Sequence, residues 1–244
     1  MHQYRNTSIL MRFLIGFFVG LIALYAMTIA ISAWDIGIYQ RELAGVEVPD
    51  NELAINYFLD GLVFLVFLGV YITVVVLFCV FINVTRKNAR ALRSEGMRFS
   101  PGWTVGYFFI PIINLFRPYQ AVTEIVKASD PDVAVDSQYG WRESSSAITG
   151  WWWATWLTAG VTRNFANRFY AFRVDTLEKA IKAEVASIGA QSLYIIAAIL
   201  AICVVYTIHT RQTRKAANRA QALSIPPRTT PYLPGDIYND PRWQ

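Results

Sequence analysis

The chain has 244 residues, of which 55% are hydrophobic and only 16% charged, with a mean hydropathy of +0.33. A soluble domain carries about 25% charge, so this composition argues against an ordinary soluble globule and for a membrane protein. The net charge of +5 comes from basic residues set beside long apolar runs, which fits anionic lipid headgroups rather than nucleic acid. Two cysteines, Cys79 and Cys203, lie inside apolar runs. They make neither a disulfide framework nor a metal-ligand pattern, and they read as small buried hydrophobes.

After a short polar start carrying Arg5 and Arg12, residues 13–33 form a near-continuous apolar run. It is long enough for a first span. A cleaved signal peptide is the rival reading, because Ala30-Ile31-Ser32 loosely resembles a cleavage site; the run is longer than a signal core. Residues 34–60 form an acid-rich loop with Asp35, Glu42, Glu47, Asp50, Glu52 and Asp60 against a single Arg41. A Lys- and Arg-poor loop belongs outside the cytoplasm. Residues 61–84 form the second span, where helix satisfies every backbone group within the segment.

Arg86, Lys87, Arg90, Arg93 and Arg98 follow directly. They place the end of the second span, and the start of the first, in the cytoplasm. The next stretch, RFSPGWTVGYFFIPIINLFRPYQ at residues 98–120, is uncharged between its two outer arginines and crowded with aromatics. Pro111 breaks it in the middle, and fourteen residues of helix reach only about 21 Å. The expectation over 99–118 is therefore a re-entrant or interfacial segment that does not cross. Pro118 opens a short amphipathic helix with Val122, Ile125 and Val126 on one face, ended by Asp130-Pro131.

Residues 147–162 are the expected third span, headed by Trp151, Trp152, Trp153 and Trp156. These read as an interfacial aromatic belt, with an aromatic ligand box as the alternative. An amphipathic helix is expected over 163–187, with capping-box-like spacing at Asp175-Thr-Leu-Glu178, lying on the outer surface or running into the next span, and a fourth span is expected over 190–208. Arg211, Arg214, Lys215 and Arg219 close that span on the cytoplasmic side. Residues 224–244 contain five prolines and read as a disordered tail. The fold class is thus all-α: a polytopic membrane protein of four transmembrane helices over residues 1–223 plus a broken aromatic segment. Both termini are expected on the cytoplasmic side of the membrane.

Ser100-Pro101-Gly102-Trp103, Gly106, Ile110-Pro111, Asn114, Arg117-Pro118-Tyr119-Gln120 and Trp151-Trp152-Trp153 together resemble a bacterial family catalogued as domain of unknown function 4328. The resemblance covers roughly residues 61–219. It implies a bacterial multi-pass membrane protein and brings no assigned reaction, so no catalytic residues carry over.

His2 and His209 are far apart, and no HExxH, CxxC, GxSxG or P-loop is present. No catalytic residue, metal or cofactor is expected. The four expected spans carry no mid-membrane charge, which weighs against proton relays and ion-coupled transport. The polar groups best placed to act lie in the broken segment. Trp103, Tyr107, Asn114, Arg117 and Tyr119 are the candidate pocket for a lipid headgroup or amphipathic ligand. The competing structural roles are Asn114 bonding carbonyls freed by Pro111 and Arg117 holding phosphate headgroups over aromatics. The expected function is a non-enzymatic scaffold or partner subunit, with the bilayer, anionic lipid and another membrane protein as partners and no nucleic acid. The alternative is a transporter or a lipid- or amphiphile-binding protein that uses the broken segment; an intramembrane enzyme is a third reading.

Overall fold

The structure, a computed structural model, describes residues 3–133, 137–169 and 176–224. Every regular element among them is helical: α1 (Ser8–Leu43), α2 (Asp50–Ala91), α3 (Pro101–Gly106), α4 (Arg117–Ala128), α5 (Ala147–Phe169) and α6 (Leu177–Ser224), with short 3-10 turns at Ile113–Leu115 and Gly140–Glu143. The expected acidic loop is mostly helix. Asp35 and Glu42 ride on α1, and Asp50, Glu52 and Asp60 on α2, which leaves a connection of residues 44–49. Arg41 grips Glu52 through both guanidinium nitrogens, and the indole N–H of Trp34 donates to the same carboxylate at 3.0 Å. A bidentate charge-assisted pair fixes orientation as well as attraction, so it sets the hairpin.

α1, α2 and α6 are long and apolar enough to cross a membrane. Only 22%, 22% and 39% of their most apolar windows are covered by the rest of the protein. Helix faces so apolar and so uncovered match lipid chains rather than water. The expected count of four must be corrected to three on this measure. α5 is long enough, since 23 residues make about 34 Å of helix. Its Gly, Thr, Asn and Arg content keeps it below the apolarity of a span. The helix expected over 163–187 is divided: α5 runs on through Arg163 to Phe169, while the later part takes the second of the two expected forms and runs into the last span as the beginning of α6, continuous for 48 residues. Asp175 of the expected capping box lies outside the described residues, as do residues 225–244 of the expected tail.

α6 runs between α1 and α5, and small side chains make this close packing possible. Ala197, Ala198 and Ala201 are all buried in the bundle. Tyr25 of α1 stacks on Tyr194 of α6 at 5.4 Å. Gly160 of α5 faces that tyrosine hydroxyl, which a Cβ there would meet at 3.8 Å. At its other end α5 touches α4 through Thr149 and Thr123, whose hydroxyls lie 2.8 Å apart. The interior is built from Leu14, Phe18, Val74, Phe78, Phe81, Ile125, Trp152, Val204 and Ile208 among others.

The start of the chain, the end of α2, the end of α4 and the last part of α6 meet at one end of the bundle. Arg5 and Asn88 exchange two hydrogen bonds, at 2.9 and 2.8 Å. The Thr7 hydroxyl pairs with His209 Nδ1 at 2.9 Å, and the Asn88 amide donates to Gln212 at 3.2 Å.

α1 and α2 end in the same motif with different residues at its left-handed position. Beyond α1, Gly45 takes φ +73°, with Gly45 N–H bonded to Glu42 and Val46 N–H to Arg41. Beyond α2, Arg93 takes φ +65°, with Arg93 N–H bonded to Arg90 and Ser94 N–H to Ala89. Both are Schellman caps, for which glycine is the unstrained choice. We expect Gly45→Ala to destabilise the purified protein by about 1 kcal/mol and Arg93→Gly to stabilise it by up to about 1 kcal/mol. Thermal unfolding in one detergent checks both; loss of stability in Arg93→Gly would show that its side chain outweighs the backbone strain.

Candidate functional site

The broken segment leaves and returns to the same place. Ser100 caps α3, its hydroxyl accepting from Trp103 N–H at 3.3 Å, with Pro101 opening the helix. α3 ends at Gly106, turns carry the chain through Pro111, and Ile112 reverses it with φ +67°. A β-branched residue in the left-handed region is strained. Pro118 then starts α4. Glu124 pins the neck: its buried carboxylate accepts the amides of Arg98 and Phe99 at 2.7 and 3.4 Å. Arg86 Nε donates to the Phe99 carbonyl at 2.7 Å, and Asn83 donates to that of Pro101 at 3.0 Å. A carboxylate can be buried when backbone N–H groups replace its water.

The five candidate residues do not converge on one pocket. Trp103 stacks on Tyr107 at 5.4 Å, Tyr107 meets the edge of Phe99 at 5.6 Å, and the Arg117 guanidinium lies 5.8 Å from the same Phe99 ring. These three share one aromatic ladder through Phe99. Arg117 also donates to Gln120 at 3.1 Å. Tyr119 instead lines a groove with Trp141 and Arg142. Asn114 lines a cavity on another side of the segment. Its backbone N–H bonds the Ile110 carbonyl at 2.9 Å. The carbonyl of Leu115 is taken by the Trp153 indole at 2.7 Å.

That cavity, about 430 Å³, lies among α1, α2, α5 and α6 under Phe108, Phe109 and Asn114. Its walls are interlocked rings. Phe78 lies 5.7 Å from Trp152 and 5.9 Å from Phe108, and Trp153 stacks on Trp156 at 4.8 Å. Of the four expected belt tryptophans, Trp151 faces outward at 70% exposure, whereas Trp152 and Trp153 are each 5% exposed. Successive helical residues point about 100° apart, so three adjacent tryptophans cannot all face the same side of the helix. Cys203, expected to be buried, points outward; Cys79 sits half-buried on the cavity wall.

The basic run of α6 makes specific tertiary contacts. Lys215 Nζ donates to the Ala128 carbonyl at 2.9 Å and to Ser94 at 3.0 Å. Arg211 reaches the Val126 carbonyl at 3.2 Å, and Arg219 that of Ala91 at 3.4 Å. Gln212 donates to the Thr85 carbonyl at 2.8 Å and to Ser129 at 3.0 Å. Cations here close the carbonyl ends of α2 and α4, where the helix dipole is negative. Asp130 sits beside this clamp. Burial pushes its carboxyl up, but the Ser144 hydroxyl, the Asp132 amide and the charges of Arg211 and Lys215 outweigh that and hold it below its ordinary value.

Phe99, Glu124, Phe108 and Tyr194 escaped the reading of the sequence. Glu124 had a signal: Ala121, Glu124 and Ala128 share the face of α4 that carries Ile125, and a carboxylate on an apolar stripe needs buried donors.

Trp153→Phe keeps the ring and removes one hydrogen bond. It should cost about 1 kcal/mol, with faster amide exchange concentrated in residues 107–116. Lys215→Met removes two buried charge-assisted hydrogen bonds, leaves the Ala128 carbonyl to the Ser94 hydroxyl alone, and should cost about 1.5–3 kcal/mol. Asp130 has a folded value below its unfolded one, so its contribution is present at neutral pH and disappears as pH falls through that lowered value. Asp130→Asn should therefore flatten the acid limb of the stability profile; an unchanged limb would place that dependence elsewhere.

No curated protein and no solved structure matches the chain. A family model does, over residues 45–210, which takes in α2, the broken segment, α4, α5 and α6 as far as the start of its basic run, and leaves α1 outside. Since that span holds the segment, its neck and most of the cavity walls, the chain belongs to the family described as Domain of unknown function (DUF4328).

Proposed function

We propose that this is a multi-pass membrane protein that binds the apolar chain of a lipid or other amphiphile in the aromatic cavity beneath the broken segment. The observation that carries this reading is the cavity itself. At about 430 Å³ it falls in the ordinary range for ligand pockets, about 300–1,000 Å³, and it is walled by aromatics with few polar groups, as such pockets are. Asn114 is the amide on its wall, and the exposed Phe109 lies at its edge. A bundle needing only to hold itself together would close that space with side chains. This favours the amphiphile-binding reading over a pure scaffold.

In this reading the basic end of the bundle faces the cytoplasm of a bacterial cell. The broken segment enters from that side and returns to it. α5 carries the chain to the opposite face alongside α6, with Gly160 against Tyr194 of that neighbour. The side chains at the start of α1 and near the end of α6 bond to each other, which supports placing both on one side.

Two experiments test the proposal. A dibrominated acyl chain should quench the tryptophan fluorescence of the detergent-purified full chain saturably, because Trp152, Trp153 and Trp156 line the cavity. Ala201→Phe, which fills the space from α6, should weaken that quenching at least about tenfold, roughly 1.4 kcal/mol, while the fold is retained. Equal quenching in the variant would remove the cavity as the site. For orientation, Cys79 and Cys203 become Ser and single cysteines are placed at Asn51, Ser137 and Ser224. A membrane-impermeant thiol reagent should label the first in intact cells and the other two only after the cells are opened. Labelling of Ser137→Cys from outside would overturn the topology.

A further inference from the structure

Arg86 is a buried cation with no carboxylate in contact: Glu124 is close enough to act on it through space, but that carboxylate is bound to the amides of Arg98 and Phe99. It sits near the end of α2 at 6% exposure. Its Nε is spent on the Phe99 carbonyl, and no salt-bridge partner is present for it among the described residues. A buried guanidinium without a carboxylate is costly unless something else supplies the negative charge. Arg86 lines a pocket of about 290 Å³, and Arg90 and Arg98 line the same pocket. Both of those side chains are exposed. Ser100 completes that wall, and Glu95 is the single carboxylate on the lining. Three guanidinium groups against Glu95 on the lining and Glu124 behind it still leave the pocket net positive.

The backbone here is packed closely against Tyr139 and Arg142. Gly96, also on the lining, has φ +68°, and a Cβ there would come within 2.7 Å of the Tyr139 ring and 2.8 Å of the Arg142 guanidinium. Arg142 in turn donates to the Gly96 carbonyl at 3.2 Å. The loop that carries Arg98 is therefore held from both sides, by Glu124 on its amides and by Arg142 on Gly96. Planar guanidinium groups match phosphate oxygens in pairs, which ammonium groups do not.

We infer that Arg86, Arg90 and Arg98 form a binding site for a phosphate-bearing anion at the neck of the broken segment. The ligand chemistry is a phosphomonoester or diphosphate, carried by a lipid headgroup or by a small soluble molecule. The site stands apart from the aromatic cavity, with none of whose lining residues it shares a side chain, and it does not depend on an acyl chain being bound there.

The test uses the full chain in detergent titrated with inorganic pyrophosphate, and the full chain in nanodiscs of phosphatidylcholine with and without phosphatidic acid. Three variants separate this site from bulk charge. Arg86→Gln keeps a donor for the Phe99 carbonyl and removes the charge. Arg98→Gln changes an exposed side chain of the same pocket, so it reads the site even if Arg86→Gln fails to fold. Lys87→Gln removes an equal charge from the exposed next residue, outside the pocket. Saturable pyrophosphate binding that falls at least tenfold in the two arginine variants and holds in Lys87→Gln supports the site with a soluble ligand. The same variant pattern seen only for retention of phosphatidic acid supports it with a lipid headgroup. Failure of both probes to bind, or an equal loss in all three variants, overturns it.

Discussion

The carboxylate of Glu124 is the point on which the architecture around the neck of the broken segment hangs. It is buried among apolar neighbours on α4 and accepts the amides of Arg98 and Phe99. The broken segment has no regular backbone ladder to hold it, since α3 spans six residues and the turn after it three. Its shape therefore depends on its neck. Glu124 closes the neck, Arg86 and Asn83 attach it to α2, and Trp153 secures the far side through Leu115. Removing the carboxylate would strand two backbone donors and free both the roof of the cavity and the loop bearing Arg98.

The basic residues serve two physical demands with one set of charges. Positive charge beside a span sets orientation. The carbonyl ends of α2 and α4 also need donors and favour positive charge. Arg211, Lys215 and Arg219 meet the second demand directly, contacting Val126, Ala128 and Ala91. An orientation signal is thereby also a tertiary clasp, which joins α6 to two helices far away in sequence.

Much of the plan was legible in the residues. Long apolar runs located α1, α2 and α6; Pro111 foretold the break; and Pro118 and the Val122–Ile125–Val126 spacing marked α4. What failed was direction. The four tryptophans were read as a unit because their chemistry is alike, yet helical rotation sends Trp151 outward and Trp152 and Trp153 inward. The five candidate residues were grouped because they are near in sequence, and a hairpin distributes near neighbours over opposite faces. Only three of them meet, and they do so through Phe99. The partners that organise the segment, Glu124, Arg86 and Trp153, lie outside it, and one chain's sequence does not announce contacts across that distance.

α6 runs unbroken for 48 residues, about 72 Å at the rise of an α-helix, more than twice the hydrocarbon thickness of about 30 Å. Its middle, at Ala197, Ala198 and Ala201, forms a wall of the aromatic cavity, while Gln212 and Lys215 sit in the polar clasp further along. An uninterrupted helix of that length behaves as a stiff lever with its fulcrum against α1. A tilt imposed at the alanines moves the two ends in opposite directions, each in proportion to its distance from the fulcrum. Any tilt of α6 at the cavity wall would therefore change the spacing of the groups at its basic end.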